Sequence, residues 1–297
     1  MSQTAVTPSV RLLWHTQDPQ RMVALAARMC YSAKPVSQLA EDLQKEEIDR
    51  MVAHILAVRH YSVLRHVLFA FTVEGVSRSF SHQFVRHHVG VDVEQRSQHY
   101  RREKQFGYNL PDSVENCQAE EGETTAEEMY VDHMESSQDL YDRLLTMGVD
   151  KSEARQVLPN ACETQMVVTM NLNAVMNVVS QRACRLNTPE ILQVAVQVRK
   201  LVGEAIPEAK AFLGPTCWSQ GICFEGEKFF KACNLPWQSP TVLWAKDFPQ
   251  RIRLVGVGGR KAEIPGSLDP QATIPIAPTE PNLVDQLKQG EDGRNQS

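Results

Sequence analysis

Val67-Leu68-Phe69-Ala70-Phe71-Thr72-Val73-Glu74-Gly75, followed without a break by Val76-Ser77-Arg78-Ser79-Phe80-Ser81-His82-Gln83-Phe84-Val85-Arg86-His87-His88, changes period in mid-course. In the first half Val67, Phe69, Phe71 and Val73 alternate with Leu68, Ala70 and Thr72, the two-residue repeat of a strand with its bulky residues on one face. Gly75 is read as the end of that strand. In the second half the repeat lengthens to that of a helix over 76–88. Phe80, Phe84 and His87 fall on one side of it, and Ser79, Gln83 and Arg86 line another at i, i+4, i+7.

Working outward, helical spacing predicts helices over 18–34 (Met22, Leu25, Ala26, Met29) and 38–58 (Leu43, Ile48, Met51, Val52, Ile55). Residues 107–123 read as a loop. Thr124 or Thr125, with Glu127 or Glu128 three residues on, forms a capping box for a helix reaching about 146, whose buried stripe is Tyr130, Met134, Tyr141 and Leu144. A short strand over 165–170 leads to a helix capped by Asn171 or Asn173 and running to about 183. Thr188-Pro189-Glu190 starts the next helix, with Thr as N-cap, Pro at the first position and Ile191, Val194, Val198, Leu201 and Ala205 as its stripe. Arg182 therefore stands at a helix end beside a tight connection. Beyond Gly214 the texture turns to Gly, Pro, Cys and Trp, and Pro265, Pro270, Pro275, Pro278 and Pro281 punctuate a tail expected to be partly disordered.

The 297 residues are 42% hydrophobic and 23% charged, the composition of a soluble globular chain. No run approaches the roughly 20 apolar residues that span a bilayer, and the N-terminus lacks a signal-peptide pattern, so a cytoplasmic protein is expected. Net charge is −5, from 31 Lys+Arg against 36 Asp+Glu. The charge is unevenly spread. Residues 59–104 hold Arg59, Arg65, Arg78, Arg86, Arg96, Arg101, Arg102 and Lys104 against Glu74, Asp92, Glu94 and Glu103, whereas 105–142 carry eleven acids and no Lys or Arg. His54, His60, His66, His82, His87, His88 and His99 lie in or just before the basic stretch. Arg and His concentrated within an acidic chain point to a small anion and not to nucleic acid, whose binders are usually basic overall.

Seven scattered cysteines without a CxxC pair exclude a disulfide framework and a zinc ribbon, and Cys217, Cys223 and Cys233 read as reduced loop thiols. His82, His87 and His88 do not fall on one helical face, so no metal site is expected. Gly256-Val257-Gly258-Gly259 is half a dinucleotide fingerprint, but Lys261 occupies the third glycine position and no βαβ unit precedes it. A dinucleotide would therefore bind outside a Rossmann arrangement. The densest polar constellation is Gln83, Arg86, His87, His88, Ser97, Gln98, His99 and Tyr100, where Arg offers bidentate contacts to a phosphate and Ser a hydroxyl for a further oxygen.

Several separated blocks, in order, resemble the flavin-dependent thymidylate synthase family. They are Ala26-Ala27-Arg28-Met29-Cys30-Tyr31-Ser32, His60-Tyr61-Ser62-Val63-Leu64-Arg65-His66, Glu74-Gly75-Val76-Ser77-Arg78, His82-Gln83-Phe84-Val85-Arg86-His87, Ala154-Arg155-Gln156-Val157-Leu158-Pro159, Asn171 through Arg182, and Gly214-Pro215. The resemblance spans roughly 9–233. The family signature of Arg-His-Arg, seven residues, then Ser stands here as Arg86-His87-His88, eight residues, then Ser97. Its Ser-x-Arg-Tyr ending stands as Ser97-Gln98-His99-Tyr100.

The resemblance implies an α+β fold with a twisted antiparallel sheet packed with helices, a catalytic domain over 1–233 with a C-terminal extension over 234–297, and a homotetramer with active sites at subunit interfaces. It implies FAD as cofactor, NADPH as reductant, methylenetetrahydrofolate as one-carbon donor and methylation of dUMP at C5 to dTMP. Carried over residue by residue, Ser62, Arg86, His87, His88, Glu94, Asn171, Asn173 and Asn177 would contact FAD. Gln83, Arg86, Ser97, Gln98, His99, Arg155 and Arg182 would hold the nucleotide, with Arg182 and Ser97 catalytic. Histidine in place of arginine at 88 and 99 leaves room for two other readings: a related flavin- and folate-dependent C5 modification of dCMP (methyl or hydroxymethyl transfer), or a non-catalytic nucleotide-binding homologue.

Overall fold

A computed structural model of the chain describes residues 4–117, 119, 124–220 and, beyond those, 222, 223, 225, 233 and the pairs 243–244, 254–255 and 261–262. Strand β1 (Ser9–His15) is followed by helices α1 (Pro19–Arg28), α2 (Val36–Asp42) and α3 (Lys45–Ala57) and a 3-10 turn over Tyr61–His66. Strand β2 (Leu68–Ser77) runs into α4 (Arg78–Phe84), after which come β3 (Val91–Gln95), α5 (Asp112–Glu115), α6 (Ala126–Thr146) and α7 (Lys151–Ala154). Strand β4 (Glu163–Asn171) leads to α8 (Leu172–Arg182), α9 (Pro189–Ala205) and α10 (Thr216–Gln220). The four strands form one antiparallel sheet in the order β1-β2-β4-β3, which fulfils the α+β expectation.

The alternation in β2 and β4 decides which face is covered. Phe69, Phe71 and Val73 of β2 and Met166, Val168 and Met170 of β4 point inward, where they join Val23 of α1, Leu56 of α3, Val175 and Val179 of α8 and Ile191 and Val198 of α9 in one buried cluster. Thr72 and Val167 sit on the opposite face, which stays partly open. This packing stands the C-terminal end of α8 beside the exit of α4, where the candidate site forms. No helix among the described residues is long and apolar enough to cross a membrane.

Several local expectations are corrected. Strand β2 does not stop at Gly75; its pairing shifts between Val73 and Val76 and continues to Ser77. Gly75 has a φ of 64°, and a Cβ there would stand 2.3 Å from the Thr7 carbonyl oxygen, so glycine absorbs the irregularity. The next helix starts only at Arg78, capped by the Ser77 hydroxyl, and ends at Phe84. Arg86 therefore lies beyond the helix and not on a shared face with Ser79 and Gln83, although Phe80, Phe84 and His87 do follow one another, with ring centroids 5.3 and 6.0 Å apart. The span 38–58 is two helices, because Leu43 and Gln44 are extended so that both Leu39 and Leu43 turn inward. The span 18–34 is helical only over Pro19–Arg28, and the 107–123 loop contains α5.

Thr125 and Glu128 form the capping box. Asn171, not Asn173, caps α8, its Oδ1 accepting from the Ala174 N–H at 2.9 Å. Thr188 stands at the N-cap of α9 but makes no side-chain capping bond. That end of α9 is held instead by buried Glu190, which accepts from the Ser77 N–H and, at 2.7 Å, from the Ser77 hydroxyl. Gly256 to Gly259 lie outside the described residues, as does most of 234–297.

Candidate active site

Two groups of polar side chains gather around the sheet. The first lines a cleft of about 190 Å³ between the exit of α4 and the last turns of α8, formed by Arg86, His87, His88, Val89, Val91, Asn177, Gln181 and Arg182. None of these is a carboxylate. Arg182 is held at three points: Nε donates to His87 Nε2 at 2.8 Å, Nη1 to Asn187 Oδ1 at 3.3 Å and Nη2 to the Gln83 carbonyl at 3.4 Å. To accept there, His87 must carry its proton on Nδ1. Burial, then the Arg182 and His88 charges, push the His87 pKa below the ordinary imidazole value, so the ring is neutral at pH 7. His88 Nδ1 donates to the Arg86 carbonyl at 2.9 Å, and Asn177 Oδ1 accepts from Gln181 Nε2 at 3.0 Å.

The loop that carries His88 into β3 turns at Gly90, with φ 71°. A Cβ there would stand 2.2 Å from Asn171 Nδ2, and the Gly90 carbonyl accepts from the Asn171 N–H at 3.1 Å. The α8 cap is thus packed directly against the turn after His88.

The second group surrounds the Ser97–Tyr100 turn. Ser97 Oγ accepts from the His99 N–H at 3.1 Å and the Tyr100 N–H at 3.4 Å, and the exposed His99 and Tyr100 rings meet edge to face. Gln98 is buried, its Nε2 donating to Cys162 Sγ at 3.4 Å. Beneath the turn, Arg96 Nη2 donates to the Glu163 carbonyl at 3.1 Å. Lys151 Nζ donates to the Tyr100 carbonyl at 2.9 Å, and Arg155 Nε to the Ser152 carbonyl at 3.0 Å. Burial is the main force lowering the Arg78 pKa, and the nearby Arg155 charge adds to it. Burial raises the Glu103 pKa in spite of Arg96, Arg101 and Arg78 around it. This excess of guanidinium over carboxylate suits an added anion.

The family model described as Thy1, thymidylate synthase complementing protein, matches residues 11–208. The chain belongs to this family. A flavin-dependent thymidylate synthase of Clostridium tetani is 34% identical over 233 residues, covering 73% of this chain and 90% of that protein. One of Geobacter sulfurreducens is 36% identical over 219 residues, covering 73% and 91%. The fold is shared with a solved UMP/dUMP methylase, PolB of Streptomyces cacaoi, bound with 5-Br dUMP, at a TM-score of 0.59 and 21% identity over 71% of this chain and 96% of that one.

Of the residues that the family resemblance nominates, the structure brings Arg86, His87, His88, Asn177 and Arg182 together at the cleft, with Gln83 reaching Arg182 through its carbonyl. Ser97, Gln98, His99 and Arg155 belong to the second group, and no hydrogen bond among the described residues joins the two. Ser62, Glu94 and Asn173 line neither: Ser62 is exposed on the 3-10 turn, Glu94 exposed on β3 and Asn173 half-buried at the start of α8. Asn171 has its side-chain oxygen committed to the α8 cap. Gln181, Asn187, Arg78, Glu103 and Cys162 were not among the site residues nominated from the sequence. Only Glu103, an acid within the basic stretch, carried a local sign. Burial raises the pKa of Cys184 and pushes Cys217 up to about 11, and the neighbouring Cys223 and Cys233 thiols add to both shifts. Among the described residues no group of three or more His, Cys, Asp or Glu is placed to hold a metal ion.

Proposed function

We propose that this chain methylates dUMP at C5, using methylenetetrahydrofolate as one-carbon donor, NADPH as reductant and FAD as bound cofactor. The proton on C5 leaves, the methylene carbon takes its place and a hydride completes the methyl group, giving dTMP, tetrahydrofolate and NADP⁺. The observation that carries this reading is the Arg182 guanidinium fixed in a carboxylate-free cleft. Developing negative charge on a pyrimidine at N3 and O2 is what such a preorganised cation stabilises while C5 acts as nucleophile.

The residues present fit the cofactor. A cleft wall of Arg86, His87, His88 and the Asn177 amide, without an acid, suits an anionic pyrophosphate. Those four would hold FAD, with Ser62, Glu94, Asn171 and Asn173 assigned by family resemblance. When bound, FAD supplies the hydride transfer that no side chain can. Arg155, Ser97, Gln98 and His99, with Arg78 beside them, would take the nucleotide phosphate and sugar, and Gln83 with Arg182 the base. No cysteine nucleophile is required: the thiol by the second group, Cys162, is pushed up to about 12 by burial and is almost wholly protonated at pH 7.

Because the two groups are separate within one chain, the active site is read as composite, each group facing its counterpart on another subunit of a homotetramer. The catalytic domain is read as 1–233 and 234–297 as an extension. The test is spectroscopic and chemical. Purified protein should show flavin absorbance that NADPH bleaches, and should convert dUMP, with methylenetetrahydrofolate, to dTMP. Methyl or hydroxymethyl transfer to dCMP and not to dUMP would move the substrate to cytosine; flavin-free protein that binds dUMP without turnover would make the chain a non-catalytic homologue.

A further inference from the structure

Asn187 lies in the turn between α8 and α9, five positions after Arg182, and works in two directions. Toward its own turn, Nδ2 donates to the carbonyls of Gln181 and Cys184 at 2.9 and 3.0 Å, and its backbone N–H donates to the Cys184 carbonyl at 3.1 Å. Toward the cleft, Oδ1 accepts from Arg182 Nη1 at 3.3 Å. The side chain is therefore clamped by its nitrogen and presents its oxygen to the guanidinium. It is not one of the residues that line the cleft.

The guanidinium has five N–H donors in a planar fork. Three are spent on His87, Asn187 and the Gln83 carbonyl, which come from the exit of α4, the α8–α9 turn and α4 itself. Two remain for a ligand. A free arginine side chain loses rotamer entropy when it is fixed, and the three anchors remove that freedom before a ligand arrives. Of the three, the Gln83 carbonyl belongs to the backbone and His87 faces the cleft itself, so Asn187 is the side chain whose work is to aim Arg182.

We infer that Asn187 is a positioning residue that sets the orientation of the Arg182 guanidinium toward the pyrimidine. This rests on the reading of Arg182 given above. Its loss affects the step in which charge develops more than the binding of nucleotide, because the remaining anchors and the second group still hold the ligand.

The test uses the flavin-loaded protein and three variants, each measured for flavin content, thermal midpoint, and kcat and KM with dUMP. Asn187→Ala should lower kcat by about 10-fold or more while nucleotide KM changes by less than about threefold and flavin content is retained. Asn187→Asp keeps an oxygen for Arg182 but sets its second oxygen against the Gln181 and Cys184 carbonyls. It should therefore be less stable than Asn187→Ala yet turn over faster. Wild-type kcat in Asn187→Ala overturns the inference, and so does a ranking in which turnover follows stability, because that is the behaviour of a mere turn staple. Arg182→Ala separates the two layers: if it turns over like wild type, the reading of Arg182 falls and the role of Asn187 with it. If Arg182→Ala is inactive while Asn187→Ala keeps the wild-type kcat, only the role of Asn187 falls.

Discussion

His87 can hold Arg182 only as a neutral ring, since a protonated Nε2 would face the guanidinium with a donor and a second positive charge. Its pKa is depressed in the folded protein, mainly by burial, with the Arg182 and His88 charges adding to it. Below the unfolded value of about 6.5 the unfolded chain binds this proton more readily than the folded one. Stability from His87 is thus fully present above that pH and declines as pH falls toward the folded pKa. Thermal midpoints between pH 5 and 8 should fall more on the acid side for the wild type than for His87→Gln, which keeps an acceptor and does not titrate; parallel curves would remove His87 from the acid limb. His99 stands where the family has arginine. It is exposed on the Ser97–Tyr100 turn and offers a ligand fewer donors than a guanidinium. His99→Arg, which adds a permanent charge and a fork of donors, should bind dUMP more tightly than the wild type by titration calorimetry; equal affinities would remove position 99 from the nucleotide site.

At the scale of elements, two glycines and two caps place the site. Gly75 lets β2 carry its irregularity before Ser77 starts α4, and Gly90 lets the chain turn from His88 into β3 while touching the α8 cap. Gly90→Ala would demand positive φ of an L-residue and drive a Cβ into Asn171, which should cost about 1–3 kcal/mol and lower the denaturation midpoint. An unchanged midpoint would mean that the β3 turn is not fixed by this contact. Long periodic segments were readable: the β2 alternation, the Thr125 capping box and the Asn171 cap all stand where the residues suggest. Strand β3 was not, because Val91 and Val93 alternating with Asp92 and Glu94 make only a five-residue pattern inside a run dominated by charge. The phase of α4 misled at Arg86, since helical spacing carries no sign of where a helix stops.

At the scale of the molecule, the contacts that make the site are long-range: Arg182 meets His87 across 95 positions and Gln98 meets Cys162 across 64. No local pattern encodes such pairs, and family resemblance was the route by which Arg182 and Arg155 could be nominated from sequence. It could not say that they fall into two groups. If each active site draws one group from one subunit and one from another, mixing and reassembling inactive Arg182→Ala with inactive Ser97→Ala should restore a fraction of turnover that neither shows alone. Mixtures as inactive as their components would place both groups in the same subunit's site. Arg182 in its acid-free cleft is the group proposed to act on dUMP. The measurement that tests this role most directly is dTMP formation by wild type and Arg182→Ala at matched flavin content, with methylenetetrahydrofolate and NADPH. The wild type should form dTMP and the variant should be slower by about 100-fold or more in kcat; a variant as fast as the wild type, or a flavin-loaded wild type that forms no dTMP, would contradict it.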